Sequence, residues 1–146
     1  MLLDHLRRDH REVLDLLKVI GESDDARECG ALFNEFRNKM LAHAHAEQKV
    51  LYAPMRRDEE FEDTILEAIV EHEVAEDLIE QLSRARGKAS AEWHAKCTVL
   101  KEMIEHHVEE EESEIFPAAQ NMFDARELEE MAEKFQGMKE KEQRAA

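Results

Sequence analysis

Glycine and proline are scarce in this chain, four and two among 146 residues. So few turn formers point to long helices joined by few turns. Cysteine is as rare as proline, with two. Cys29 and Cys97 have no metal-type spacing and suggest no disulfide framework, so both are expected to be small packed residues in a reducing compartment. Aromatics make up only 5% of the chain, and bases fall well short of acids, with 20 Lys and Arg against 36 Asp and Glu. The net charge of −16 is spread along the chain rather than massed in a tail. Such a surface repels phosphate backbones and anionic lipid, which argues against nucleic acid and membrane as partners. No apolar run reaches the roughly 18 residues of a membrane span and no secretory leader is seen, so a soluble cytoplasmic protein is expected. The length is enough for a real core and is read as one domain, residues 1–146.

What is abundant is apolar residues at helical spacing. Residues 2–20 carry the stripe Leu3, Leu6, His10, Val13, Leu17 and Ile20. Gly21 and Ser23-Asp24-Asp25 end that helix, and Asp25 with Glu28 resembles a capping box for the next. The second helix is expected from about 26 to the mid-50s, with Leu32, Phe36, Met40, His43, Glu47, Val50 and Leu51 on its stripe. Pro54 marks its last turn or a kink. A third helix, about 60–85, carries Ile65, Ile69, His72, Glu76, Ile79 and Leu82 and stops near Gly87. Ser90 caps a fourth with the stripe Cys97, Leu100, Ile104, His107, Glu111, Ile115 and Ala118. Asp124 and Glu127 open a short fifth helix, about 124–138, before a frayed charged tail. There is no strand signal. The fold class expected is all-α: an up-down-up-down four-helix bundle over about 2–120, with the short C-terminal helix outside it.

Two segments echo each other. His43-x-x-x-Glu47 leads to Leu51-Tyr52 and Pro54, and His107-x-x-x-Glu111 leads to Ile115-Phe116-Pro117. On a helix, residues i and i+4 share a face, so each segment presents an imidazole beside a carboxylate. His10 and His72 take matching places in helices one and three, as His43 and His107 do in two and four. The polar residues His10, His43, Glu47, His72, Glu76, His107 and Glu111 therefore occupy positions that the apolar rhythm would give to Leu or Ile. Three carboxylates buried without partners would take up protons, and a purely hydrogen-bonded network rarely improves on an apolar core. A pair of divalent cations resolves the conflict. Seven N and O donors are too many for one tetrahedral zinc. Imidazole and carboxylate without thiolate suit iron or manganese, with zinc as a further candidate. His5, His45, His94 and His106 lie off the stripes and are expected to be solvated. His106 with Glu110 copies the i, i+4 spacing one step round the helix, but the stripe and the distance to Pro117 favour His107. Tyr52, Phe116, Met40 and Met103 are read as core.

These residues resemble the hemerythrin family, in its HHE cation-binding branch. The resemblance covers roughly residues 5–118 and rests on Asp9-His10-Arg11, His43-x-x-x-Glu47, Glu71-His72-Glu73 and His107-x-x-x-Glu111-Glu112. It implies a four-helix bundle holding two iron ions. His10, His43, His72 and His107 would be ligands, and Glu47 and Glu111 would bridge. Two departures stand out. An oxygen-carrying hemerythrin has a second His four residues after the helix-three His, where this chain has Glu76. Its helix-four carboxylate is an Asp five residues after the His, where this chain has Glu at four. An extra carboxylate in place of an imidazole favours ferric iron and points away from reversible O2 carriage. The expected function is a di-iron protein binding O2, NO or iron itself in a sensing, storage or delivery role. The alternatives are a di-iron oxidoreductase acting on peroxide or O2, and a metal-free helical interaction module.

Overall fold

The computed structural model describes residues 1–145, and among them every regular element is helical. Start signals written in the sequence act where expected. Ser90 Oγ accepts from the Trp93 N–H at 3.1 Å, and Asp124 and Glu127 close a reciprocal capping box at 3.1 and 2.8 Å. Asp25 accepts from the Arg27 N–H at 2.9 Å. Its own N–H is taken by Ser23 Oγ rather than by Glu28, so the expected box is replaced by a Ser–Asp turn.

Helix α1 is Leu2–Glu22. Helix α2 comprises Ala26–Glu47, a π-helical turn Gln48–Tyr52 and a last turn Ala53–Arg56. Helix α3 is Glu62–Arg84. Helix α4 repeats the plan of α2, with Ala91–Glu110, a π-helical turn Glu111–Ile115 and Phe116–Met122. Helix α5 is Ala125–Ala145. Pro54 and Pro117 cannot donate to a regular ladder. Just before each, the ladder lapses to i→i−5, Ala53 N–H to Gln48 O and Phe116 N–H to Glu111 O. The helix passes each proline instead of ending there, and each wide turn begins at or beside a glutamate of the predicted site.

Helix α1 packs on α2 and α4, and α3 packs on the same two, so the four long helices close a ring. Helix α5 lies outside it against α1 and α2. It runs well past the expected end near Gly137. That glycine sits on an exposed face, where it costs about 1 kcal/mol but breaks nothing. Leu128, Ala132 and Phe135 keep the apolar stripe buried, with Met138 packed beside them. No helix among the described residues is long and apolar enough to cross a membrane.

The interior is divided in two. One apolar cluster gathers Leu2, Leu3, Leu6, Tyr52, Met55, Ile65, Phe116 and Phe135. The other gathers Val13, Leu17, Phe33, Phe36, Ile79, Leu82, Trp93 and Leu100. Between them lies a polar layer of Asp9, His10, His43, Glu47, His72, His107 and Glu111, none more than 7% exposed. Cys29 and Cys97 are free, buried thiols in the second cluster, away from that layer.

Candidate metal centre

All four imidazoles of the layer are aimed alike. His43 Nδ1 lies 2.9 Å from Asp9 Oδ2, and His107 Nδ1 lies 2.8 Å from Glu71 Oε1. His10 Nδ1 lies 2.8 Å from Glu112 Oε2, and His72 Nδ1 lies 2.9 Å from the Gln48 side-chain amide. The partner always comes from the preceding helix of the ring. Helix α1 supplies Asp9 to α2, α2 supplies Gln48 to α3, α3 supplies Glu71 to α4, and α4 supplies Glu112 to α1. A carboxylate on Nδ1 fixes the ring orientation and tautomer of His10, His43 and His107 and turns the Nε2 lone pair inward, as metal-binding histidines require, and the Gln48 amide holds the His72 ring in place.

The inward nitrogens meet two carboxylates. His10 Nε2 is 3.2 Å from Glu111 Oε1, and His107 Nε2 is 3.1 Å from Glu111 Oε2. His72 Nε2 and His43 Nε2 are 3.3 and 3.7 Å from Glu47 Oε1. His10, His43, Glu47 and Glu111 form one group whose donor atoms all lie within 4.8 Å of one another, and Glu47, His72, His107 and Glu111 form a second. Both carboxylates belong to both groups. Glu47 Oε1 and Oε2, Glu111 Oε1 and His10 Nε2 are buried without a hydrogen-bond partner. Such an atom costs about 1–3 kcal/mol when left unsatisfied, and more when charged. Cations between the donors would satisfy all four atoms, so the residues fit bound metal.

Charge at the site is finely divided. Burial and the neighbouring Glu111 charge push the Glu47 carboxyl well above the usual range. Burial works the same way on Glu111, but Glu47, His10 and His107 around it hold it well below. Burial opposes a charge on His107, yet Glu111 and Glu71 win and hold its imidazole at about 9. His10 is raised by Glu111 and Glu112 against the same burial. His72 goes the other way, pushed down to about 3 by burial and by the His107 charge. A metal entering the layer must displace the proton that Glu111 and Glu71 hold on His107.

Glu76 needs correction. Its side chain is 40% exposed and lies 3.5 Å from His45 Nε2, outside both donor groups. At that level the inward face of α3 is taken by Ala75 and Ile79, so the i+4 step from His72 turns away from the centre. His45 in turn is less free than expected, tied between Glu76 and Glu142 of α5. His94 rests edge-on against Trp93 with both ring nitrogens out of solvent. His106 is 65% exposed beside Glu110, as the stripe implied.

Tyr52 is core, as expected, but it also serves the site. Its hydroxyl donates to Glu111 Oε2 and lies 3.3 Å from His107 Nε2. Burial and the Glu111 and Glu47 charges push the phenol well above its ordinary range, so it remains a donor. Helix α5 contributes as well. Lys139 Nζ donates to both oxygens of Asp9, at 2.8 and 3.0 Å, and Phe135 stands edge-on to His43. Asp9, Gln48, Glu71 and Glu112 each adjoin a stripe ligand in sequence, and that adjacency is the signal that could have found them. A cavity of about 210 Å³ reaches all four imidazoles from between α3 and α4, walled by apolar residues such as Val70, Val74, Met103 and Ile104.

The family described as the hemerythrin HHE cation binding domain matches residues 1–119. A protein of Nostoc sp. (strain PCC 7120) named DNA nickase is 30% identical over 138 residues, covering 94% of this chain. The chain spans only 39% of that relative's length. No solved structure matches the chain. The match takes in all six inward donors and the helices that carry them, and the chain belongs to the hemerythrin HHE cation-binding domain family.

Proposed function

We propose that the chain is a non-haem di-iron protein built as an up-down-up-down four-helix bundle, binding O2, NO or iron itself in a sensing, storage or delivery role. One observation carries the reading: six buried donors converge, and both oxygens of Glu47, Glu111 Oε1 and His10 Nε2 are left without a hydrogen-bond partner, while the outer nitrogen of every imidazole is tied down. His10 and His43 would hold one ion, His72 and His107 the other, with Glu47 and Glu111 shared. Iron, when bound, supplies one-electron chemistry and affinity for diatomic ligands. With Glu76 turned away, each ion draws on two imidazoles and two carboxylates, which leaves positions open for a small ligand. The unpartnered atoms oppose a metal-free interaction module, because a hydrogen-bonded core would satisfy them.

The apolar cavity favours a second reading as a di-iron oxidoreductase, since it has room for more than a diatomic molecule. Anaerobic mixing of the reduced, iron-loaded protein with O2 separates the two. One-way oxidation without turnover, or a spectrum that reverses on degassing, is expected for a binding protein. Sustained consumption of added peroxide would establish the enzyme instead. A DNA-directed activity such as the Nostoc relative's name describes finds no support in a chain of net charge −16.

A further inference from the structure

A second donor group stands beside the buried one, on the surface. Glu71 of α3 and His106 and Glu110 of α4 offer ligand atoms that all lie within 4.8 Å of one another. His106 Nε2 is 3.0 Å from Glu110 Oε1. An i, i+4 pair of this kind is ordinary on a helix surface. A third donor brought to it from another helix is not, and Glu71 is the residue that also orients His107 of the centre. Next to the group is a cavity of about 60 Å³ walled by Glu67, Glu71, Glu110 and Glu114. Its lining ends at His107 and Glu111. Glu111 is fully buried, and its Oε1 has no hydrogen-bond partner. Exposed donors, an acid-walled gap and an unsatisfied carboxylate thus lead from solvent to the centre. Glu71 and His106 also border the apolar cavity at Val70 and Val74, whose walls suit neutral molecules rather than ions, whereas Glu71 and Glu110 border the acid-walled one.

We propose that Glu71, His106 and Glu110 form a capture site for a divalent first-row metal ion, which passes through the acid-walled cavity to the buried pair. The imidazole gives the site a preference for transition metals over calcium or magnesium, which take oxygen donors alone. Three donors in contact with water bind weakly and exchange fast, as a capture site should. Capture stands on the surface geometry alone, whereas transfer inward rests on the di-metal reading above.

The test is anaerobic titration of metal-free protein with Co2+, followed by a brief chelator chase and stopped-flow filling. The wild type should hold about two ions slowly released to chelator and one released at once. His106→Ala should keep the slow ions, lose the fast one and fill the slow sites about tenfold more slowly, the lower end of what local concentration of an ion gives. Every carboxylate survives in that variant, so slower filling cannot reflect a weaker overall field. Glu110→Gln, also at an exposed position, should behave alike. An unchanged fast ion and unchanged filling in both variants would overturn the capture site. Slow ions without a fast one in the wild type would overturn it too, leaving the di-metal reading intact. A fast ion without slow ones would support capture and overturn the di-metal reading.

Discussion

His107→Ala should cost the centre at least one of its two ions, while His106→Ala should leave both buried ions in place. The two imidazoles are neighbours in sequence but not in environment. His107 is buried, with Nε2 3.1 Å from Glu111, and His106 is 65% exposed. Removing His107 takes one donor from the group it shares with His72 and leaves Glu71 without its partner. Losing an outer partner alone typically costs 10–100-fold in metal affinity, so loss of the ligand should cost about 100-fold or more. Metal titration followed by elemental analysis reads this directly. The pH dependence should change as well. Glu111 and Glu71 hold the His107 proton up to about 9, and a metal must displace that proton. Wild-type affinity should therefore rise as pH climbs from about 6.5 to 9, and the rise should be shallower in the variant. In metal-free protein the sign is opposite. A group whose folded value is raised stabilises fully below its ordinary 6.5, and that help is lost as pH passes about 9. The alanine variant should thus melt lower than the wild type at pH 6 and close to it at pH 10. Loss of a buried ion in His106→Ala, with none lost in His107→Ala, would mean that helix α4 presents the other register.

Glu47→Leu should act in opposite directions on stability and metal binding. Glu47 is fully buried, and neither of its oxygens has a hydrogen-bond partner. It belongs to both donor groups, so its loss should prevent both ions from being held. In metal-free protein the same change removes two unsatisfied atoms and fills their place with apolar volume. Burial and the Glu111 charge push the Glu47 carboxyl up, so its removal spares the pairing of Glu111 with His10 and His107. Replacements of this kind stabilise by about 1–3 kcal/mol. For a chain of this size that is a rise in Tm of about 3–9 °C. Calorimetry of the metal-free variant and wild type is the check. A lower Tm in the variant would show that Glu47 is satisfied in the core without metal.

The stripe histidines and Glu47 and Glu111 were legible in the sequence because a period of 3–4 residues tells inward from outward wherever a polar residue breaks an apolar run. Glu76 satisfied that rhythm on paper and still points away. On α3 the places that face inward beyond His72 belong to Ala75 and Ile79, and no wide turn follows His72 as one follows His43 and His107. The outer partners adjoin stripe ligands in sequence, but adjacency does not say which imidazole each one holds. Asp9, Glu71 and Glu112 are acids in a chain with 36 of them, and their role depends on which helix follows which around the ring. Pro54 and Pro117 were readable as interruptions, but not as the wide turns that let the helices continue. Gly137 resembles a stop signal in the sequence of α5, although an exposed glycine ends nothing while Phe135 and Met138 still pack. That extra length has a function, since it places Lys139 on Asp9 and so behind His43. This support comes from beyond residue 119, where the family match ends.

The central claim is that the unpartnered atoms at the middle of the helix ring exist to hold a pair of cations. Elemental analysis of protein made in iron-supplemented medium, desalted after a brief chelator wash, addresses it most directly. The account predicts about two irons per chain, and a clear fall in Tm once prolonged chelation strips them. A chain that carries no metal and melts at the same temperature before and after chelation would contradict it.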